Sequence, residues 1–185
     1  MPNARRARRE ARDLLLLRYQ RQRRLNALAR PGPHDLIVVL DHLKANYNVP
    51  KILRSAQAFG VREVHLIGIG PFDPAPAKGA LKHVPARFLD SIDQSLDLLA
   101  AGGYRILLLD PTGPTPLPAC ALPRHSAVVL GHEEHGFSFD PATLPAATPV
   151  RIPQWGAMDS LNVSVAASIA MYEYVRRHGQ SEPAR

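Results

Sequence analysis

The stretch Ile152-Pro153-Gln154-Trp155-Gly156, followed after three residues by Ser160-Leu161-Asn162-Val163-Ser164-Val165-Ala166-Ala167, decides how this chain is read. It puts Ser and Asn where a strand-borne loop turns into a helix, a position that serves a ligand more readily than a core. From Leu161 onward, Leu161, Val165, Ile169 and Tyr172 share one face of an expected α-helix, with Asp159 or Ser160 available as N-cap. Ahead of it, Thr148-Pro149-Val150-Arg151-Ile152-Pro153 is a short extended piece bounded by prolines. Gly156 in the following loop would let backbone approach a bound molecule.

Two further segments fit this reading. Ala127-Val128-Val129-Leu130 is an apolar run of buried-strand type that leads into Gly131-His132-Glu133-Glu134-His135-Gly136-Phe137-Ser138, where glycines bracket two carboxylates. Asn48-Val49-Pro50-Lys51-Ile52-Leu53-Arg54-Ser55-Ala56-Gln57-Ala58-Phe59-Gly60 reads as a helix opening at a proline and stopping at a glycine. Ile52, Ala56 and Phe59 form its inner face, and Arg54 lies on another.

Elsewhere, Leu36–Leu40, Glu63–Ile67 and Tyr104–Leu109 read as strands and 91–101 as a helix, so strands separated by helices argue for a parallel sheet. A Pro/Gly/Ala-rich loop runs through the seventies and eighties, and Pro111 to Pro123 is a proline-rich connection. At 185 residues the chain suits one α/β domain with a sizeable core. The formal charge of +7 is uneven: residues 1 to 30 carry ten Arg and two acids, hence +8, leaving −1 for the rest. Pro31-Gly32-Pro33 separates this arginine-rich arm, residues 1–33, from a body spanning 34–179 and a tail at 180–185. The arm is expected to neutralise RNA phosphates; the other reading docks Leu14, Leu15, Leu16 and Leu17 on the body or a partner subunit, and the two are compatible.

The single Cys120 precludes an internal disulfide or a Cys-based zinc site and fits a reducing cytoplasm, the expected location. No stretch approaches the roughly 18 to 20 apolar residues of a membrane helix. His132-Glu133-Glu134-His135 spaces its histidines three apart between glycines instead of four apart on a helix, so no metal is expected. Gly68-Ile69-Gly70 lacks the third glycine of a dinucleotide fingerprint, and Ala77-Lys78-Gly79 lacks the spacing of a phosphate loop.

Taken together, Asn48 with Arg54, Gly131-His132-Glu133 with Gly136, and Ile152-Pro153 with Gly156, Ser160, Leu161 and Asn162 resemble the three ordered motifs of the TrmH (SpoU) branch of the SPOUT RNA methyltransferases. The resemblance covers roughly residues 35 to 178, with Gln154 standing where the family often has Met. It implies an α/β fold, mostly a parallel sheet with helices on both faces. It also implies a C-terminal trefoil knot in place of the open doubly wound sheet that general topology rules give. S-adenosylmethionine is the implied cofactor, held by Leu130, Gly131, Gly136, Ile152, Gly156, Ser160 and Leu161. Asn48, Arg54, Glu133, Ser160 and Asn162 are the implied catalytic set.

The implied reaction is methylation of a ribose 2′-hydroxyl of tRNA or rRNA by a homodimer. The family's arginine is thought to activate that hydroxyl, yet a guanidinium with a pKa above about 12 does not readily release its proton. Arg54 therefore reads equally as a cation that stabilises the developing alkoxide. Two other readings remain: an inactive RNA-binding or ribosome-assembly protein of the same fold, and a base methyltransferase of the wider superfamily.

Overall fold

The computed structural model describes residues 2–45 and 47–179; the tail at 180–185 lies outside the described residues. Helix α1 (Pro2–Asn26) precedes the body, in which β1 (His34–Asp41), α2 (Asn48–Ala58), β2 (Val61–Ile67), β3 (Ala86–Leu89), α3 (Ile92–Ala101) and β4 (Arg105–Leu109) follow in turn. The chain continues through β5 (Thr115–Pro116), β6 (Ser126–Leu130), β7 (Thr148–Arg151) and α4 (Val163–His178). All seven strands join one sheet in the order β3-β2-β1-β6-β4-β7-β5, and every pairing is parallel. The parallel α/β expectation holds.

Alternation along the strands divides the core into two layers. Leu36, Val38 and Leu40 of β1, with Val128 and Leu130 of β6, face the layer that α2 and α4 cover. Ile37, Val39, Ala127 and Val129 face the layer under Ile92 and Leu99 of α3. A parallel strand covered on both faces is apolar along its whole length, and β6 is buried throughout.

Three local expectations need correction. The seventies-to-eighties loop contains a strand, β3, and the proline-rich connection contains β5; both are short and lie at the sheet's edges, where the periodic signal is weakest. Helix α4 is capped by Asn162, whose side chain accepts from the Ser164 N–H at 2.9 Å, and not by Asp159 or Ser160. Its inward face also differs from the one expected: Ser164, Ala167, Ala170, Met171 and Tyr174 are buried, Leu161, Val165 and Tyr172 are exposed, and of the expected set only Ile169 packs, partly buried, against the core. Small residues let α4 approach α2 closely enough for Ser55 and Ser168 to hydrogen bond at 2.8 Å.

The arm is docked on the body. Tyr19 is buried, edge-on to Phe72 at 5.2 Å and to Phe88 at 6.4 Å between ring centroids. Asn26 donates to the Leu81 and Val84 carbonyls, both at 2.6 Å, and accepts from the Ala86 N–H at 3.0 Å. Arg23 lies 4.2 Å over the Phe88 ring. Of the leucine run, Leu14 and Leu17 are exposed and Leu15 and Leu16 half-buried, while Tyr19 and Asn26 make the contacts that fix the arm. Among the described residues no helix is long and apolar enough to cross a membrane.

Candidate active site

At the carboxyl ends of β4, β6 and β7, three loops enclose a cleft of about 390 Å³, the size of a small-molecule site. Leu109, Leu130, Phe137, Ile152, Val163 and Ala166 supply apolar walls, and Asp110, Glu133, Gln154, Ser160 and Asn162 supply polar groups. Of the residues expected to hold a cofactor, Leu130, Gly131, Gly136, Ile152, Ser160 and Leu161 line the cleft. Gly156 does not, and a Cβ placed there meets nothing within 4 Å, so its surroundings do not require glycine.

Gly131 and Gly136 are different. A Cβ on Gly131 would lie 2.5 Å from the Gly136 carbonyl carbon, and Gly136 has φ +71°. The approach leaves no room for a side chain at Gly131, and glycine adopts the Gly136 backbone without strain. The two residues close a tight loop through paired backbone bonds between His132 and Gly136 at 2.7 and 2.9 Å, which presents Glu133 and Glu134 outward.

Side chains from the three motifs meet in one hydrogen-bonded relay. Asn48 donates to Glu133 at 2.7 Å, and the Lys44 N–H donates to the same carboxylate at 3.1 Å. Asn162 donates to the Asn48 carbonyl oxygen at 3.2 Å, while the Asn162 oxygen accepts from Ser164 Oγ at 2.6 Å. Burial works against ionisation of Glu133, but the bonds from Asn48 and Lys44 outweigh it and hold its carboxyl below the ordinary value. The resting relay is thus a carboxylate tied to two amides.

Arg54 is not part of it. It is exposed on α2 and, among the described residues, makes no hydrogen bond to the relay. Ser160 lines the cleft from an exposed position and likewise makes no side-chain bond to the relay among the described residues.

Sequence reasoning missed the strut beneath the relay. Asp41, fully buried at the end of β1, accepts from the Ser138 N–H at 2.7 Å and from Ser138 Oγ at 2.8 Å, and its Oδ1 lies 2.7 Å from His42 Nδ1. This ties the Gly131–Ser138 loop to the central strand. His42 follows in a left-handed conformation, φ +55°, and turns the chain toward Lys44. The one trace of this strut in the sequence is a charged residue ending an apolar strand, which by itself forms no pattern. Lys44 also pairs through its ammonium with Glu134.

The loop further gathers His132, Glu134 and His135, whose possible donor atoms lie within 4.8 Å of one another despite the three-residue spacing. The two rings stack at 4.6 Å, and His132 Nδ1 already accepts from the Glu134 N–H at 3.0 Å. Glu134 is at the same time paired with Lys44.

A parallel sheet whose loops past the strand ends close over a ligand-sized cleft defines an α/β protein with a candidate small-molecule site at its carboxyl edge. The model of the SpoU rRNA methylase family matches residues 35–172, and the chain belongs to that family. It is 34% identical over 162 residues to the 23S rRNA (guanosine-2′-O-)-methyltransferase RlmB of Nitrosomonas europaea, covering 84% of this chain and 60% of that one. It is 29% identical over 173 residues to a tRNA (guanosine(18)-2′-O)-methyltransferase of Thermus thermophilus, covering 85% of this chain and 82% of that one. Among solved structures it resembles the SpoU methyltransferase AviRb of Streptomyces viridochromogenes in complex with AdoMet, with a TM-score of 0.71 and 26% identity, over 80% of this chain and 60% of that one. The chain thus spans about three fifths of the length of the Nitrosomonas protein.

Proposed function

We propose that this chain transfers the methyl group of S-adenosylmethionine to a ribose 2′-hydroxyl of tRNA or rRNA. The observation that carries this reading is the Glu133–Asn48–Asn162 relay, which joins all three motifs at the rim of the cleft. The cleft suits the donor chemically: Asp110 and Glu133 favour a sulfonium cation, and Leu109, Leu130, Phe137 and Ile152 offer apolar cover to a purine. When bound, the donor supplies an already activated methyl group.

The chain's own residues then align the acceptor. Asn48 and Asn162 hold the ribose by hydrogen bonds, Glu133 fixes Asn48, and Ser160 closes the cofactor side. Arg54 stabilises the developing 2′-alkoxide as the hydroxyl proton passes to solvent, and grips the neighbouring phosphate with a planar fork that Lys does not reproduce.

The proposal includes a homodimer and a knotted C-terminal path. Exposed Leu161, Val165 and Tyr172 on and beside α4 give an apolar face for a second copy, and Phe59 packs edge-on to Tyr172 at 6.2 Å between ring centroids, bringing the Arg54-bearing helix to the same boundary. The insertion of β6 between β1 and β4, with the chain returning from β7 to cover β1, supports the knotted path. A cytoplasmic location follows from the proposed substrates.

Calorimetry with S-adenosylmethionine and turnover of Arg54→Ala test the reading. Donor binding with loss of methyl transfer in the variant is expected. Failure of the wild-type chain to bind the donor would leave an RNA-binding protein of the same fold, and near-normal turnover of Arg54→Ala would remove that residue from the mechanism.

A further inference from the structure

The segment between β7 and α4 touches the cleft at both of its ends, through Ile152 and Gln154 and then through Ser160 to Asn162. Its middle stands clear. There Trp155 is 92% exposed, the largest apolar side chain in the molecule and the most exposed of the large hydrophobic residues described. Nothing within the chain explains it: Trp155 belongs to neither core layer and makes no aromatic pair among the described residues. Tyr47, 74% exposed, directly precedes Asn48 of the relay.

The relay and the cleft account for only part of a nucleotide. Amides and a carboxylate match ribose hydroxyls, and a guanidinium matches phosphate, but none of them offers a flat apolar face to a base. A nucleotide fixed only at its sugar still swings about the glycosidic bond, and the 2′-oxygen swings with it. Proteins that handle unpaired nucleotides immobilise the base by stacking it on an aromatic side chain. Along the same segment Gln154, Asp159, Ser160 and Asn162 are polar and exposed, a setting unlike the charge-depleted core of a protein–protein interface, which favours a nucleobase over a protein partner. The strongly basic arm supplies the attraction for the remaining phosphates.

We propose that Trp155 is the platform on which the base of the target nucleotide stacks, so that the acceptor enters unpaired and unstacked from its neighbours. This rests on the RNA methyltransferase reading above. Because every base has a π face, the platform fixes geometry and leaves base identity to other contacts.

Trp155 is the single tryptophan of the chain, so its emission reports on this position alone. The full-length protein is titrated with S-adenosylhomocysteine alone, with a duplex DNA as a polyanion without free bases, and with unfractionated tRNA and rRNA from cells lacking the gene. Quenching by RNA alone is expected. Transfer kinetics with Trp155→Ala should show KM for RNA raised roughly fivefold to a hundred-and-fiftyfold, the range for loss of one base–aromatic stack, with donor affinity unchanged and most of the loss restored in Trp155→Phe.

Three results overturn the platform. They are emission already blue-shifted in the RNA-free protein and indifferent to RNA, which assigns Trp155 to a subunit interface; quenching by S-adenosylhomocysteine alone, which assigns it to the cofactor; and an unchanged KM in Trp155→Ala. The emission arm needs no turnover. Absence of methyl transfer in the wild type therefore counts against the reaction, and absence of RNA quenching counts against the platform.

Discussion

Replacing Asn48 by Ala removes the one side chain that touches two motifs at once. It deletes the 2.7 Å bond to the Glu133 carboxylate and the 3.2 Å bond from Asn162. A hydrogen bond to a charged group contributes about 1.5–3 kcal/mol and a neutral one about 0.5–1.5 kcal/mol. All three residues border solvent, so the lower ends apply and the loss is about 2 kcal/mol. Glu133→Ala also releases the Lys44 N–H, at a similar cost. The shared bond is counted in both variants but is lost only once in the pair. The double variant should therefore be less destabilised than the sum of the singles by about 1–1.5 kcal/mol. Urea unfolding of the four proteins at pH 7 measures this coupling, and calorimetry should show donor affinity falling roughly tenfold for each 1.4 kcal/mol by which the cleft is loosened. Additivity within about 0.3 kcal/mol would refute the claim that these side chains act as one unit.

Asp41→Asn keeps the shape of a fully buried group but turns one amide against the Ser138 N–H or His42. It should cost about 2–3 kcal/mol in denaturant unfolding, and a change below about 0.5 kcal/mol would dismiss the strut. Glu173 has its carboxyl lowered to about 2 by hydrogen bonds from Arg176, against burial, with Arg177 adding to the effect. A carboxyl depressed on folding contributes stability that is complete above its unfolded value of 4.5 and lost as the pH falls toward 2. Stability measured over that window should decline less steeply in Glu173→Gln, and identical slopes would contradict the assignment. In the arm, Tyr19→Ala should cost about 3 kcal/mol of stability by emptying its site against Phe72 and Phe88. Replacing Arg18, Arg21 and Arg24 by Gln should leave stability unchanged and lower the salt slope of RNA affinity by about two to three. An unchanged slope would mean that the arm only packs.

Much of this molecule is legible in its residues because the central strands are buried on both faces and must be apolar throughout. Leu36–Leu40 and Ala127–Leu130 announce themselves for that reason. The edge strands at Ala86–Leu89 and Thr115–Pro116 have little apolar burial to advertise, and proline obscures one of them. Helix α4 misleads for a related cause: its tight packing selects Ser164, Ala167 and Ala170, which a search for apolar side chains passes over, while the conspicuous Leu161, Val165 and Tyr172 lie outside.

The cleft-lining glycines and Glu133 could be named in advance through the motifs. The meeting of Asn48 with Glu133, 85 positions apart, is created only by the sheet order that sets β6 beside β1. Asp41 was not legible as a site residue, because a single acid at a strand end carries no pattern until Ser138 is seen against it.

Nucleoside mass spectrometry of tRNA and rRNA incubated with the full-length chain and methyl-labelled S-adenosylmethionine tests the central claim most directly. Label on a ribose 2′-oxygen, abolished in Arg54→Ala and much reduced in Asn48→Ala, is the expected result. Label on a base, or none in either RNA when the donor is shown to bind, would contradict it.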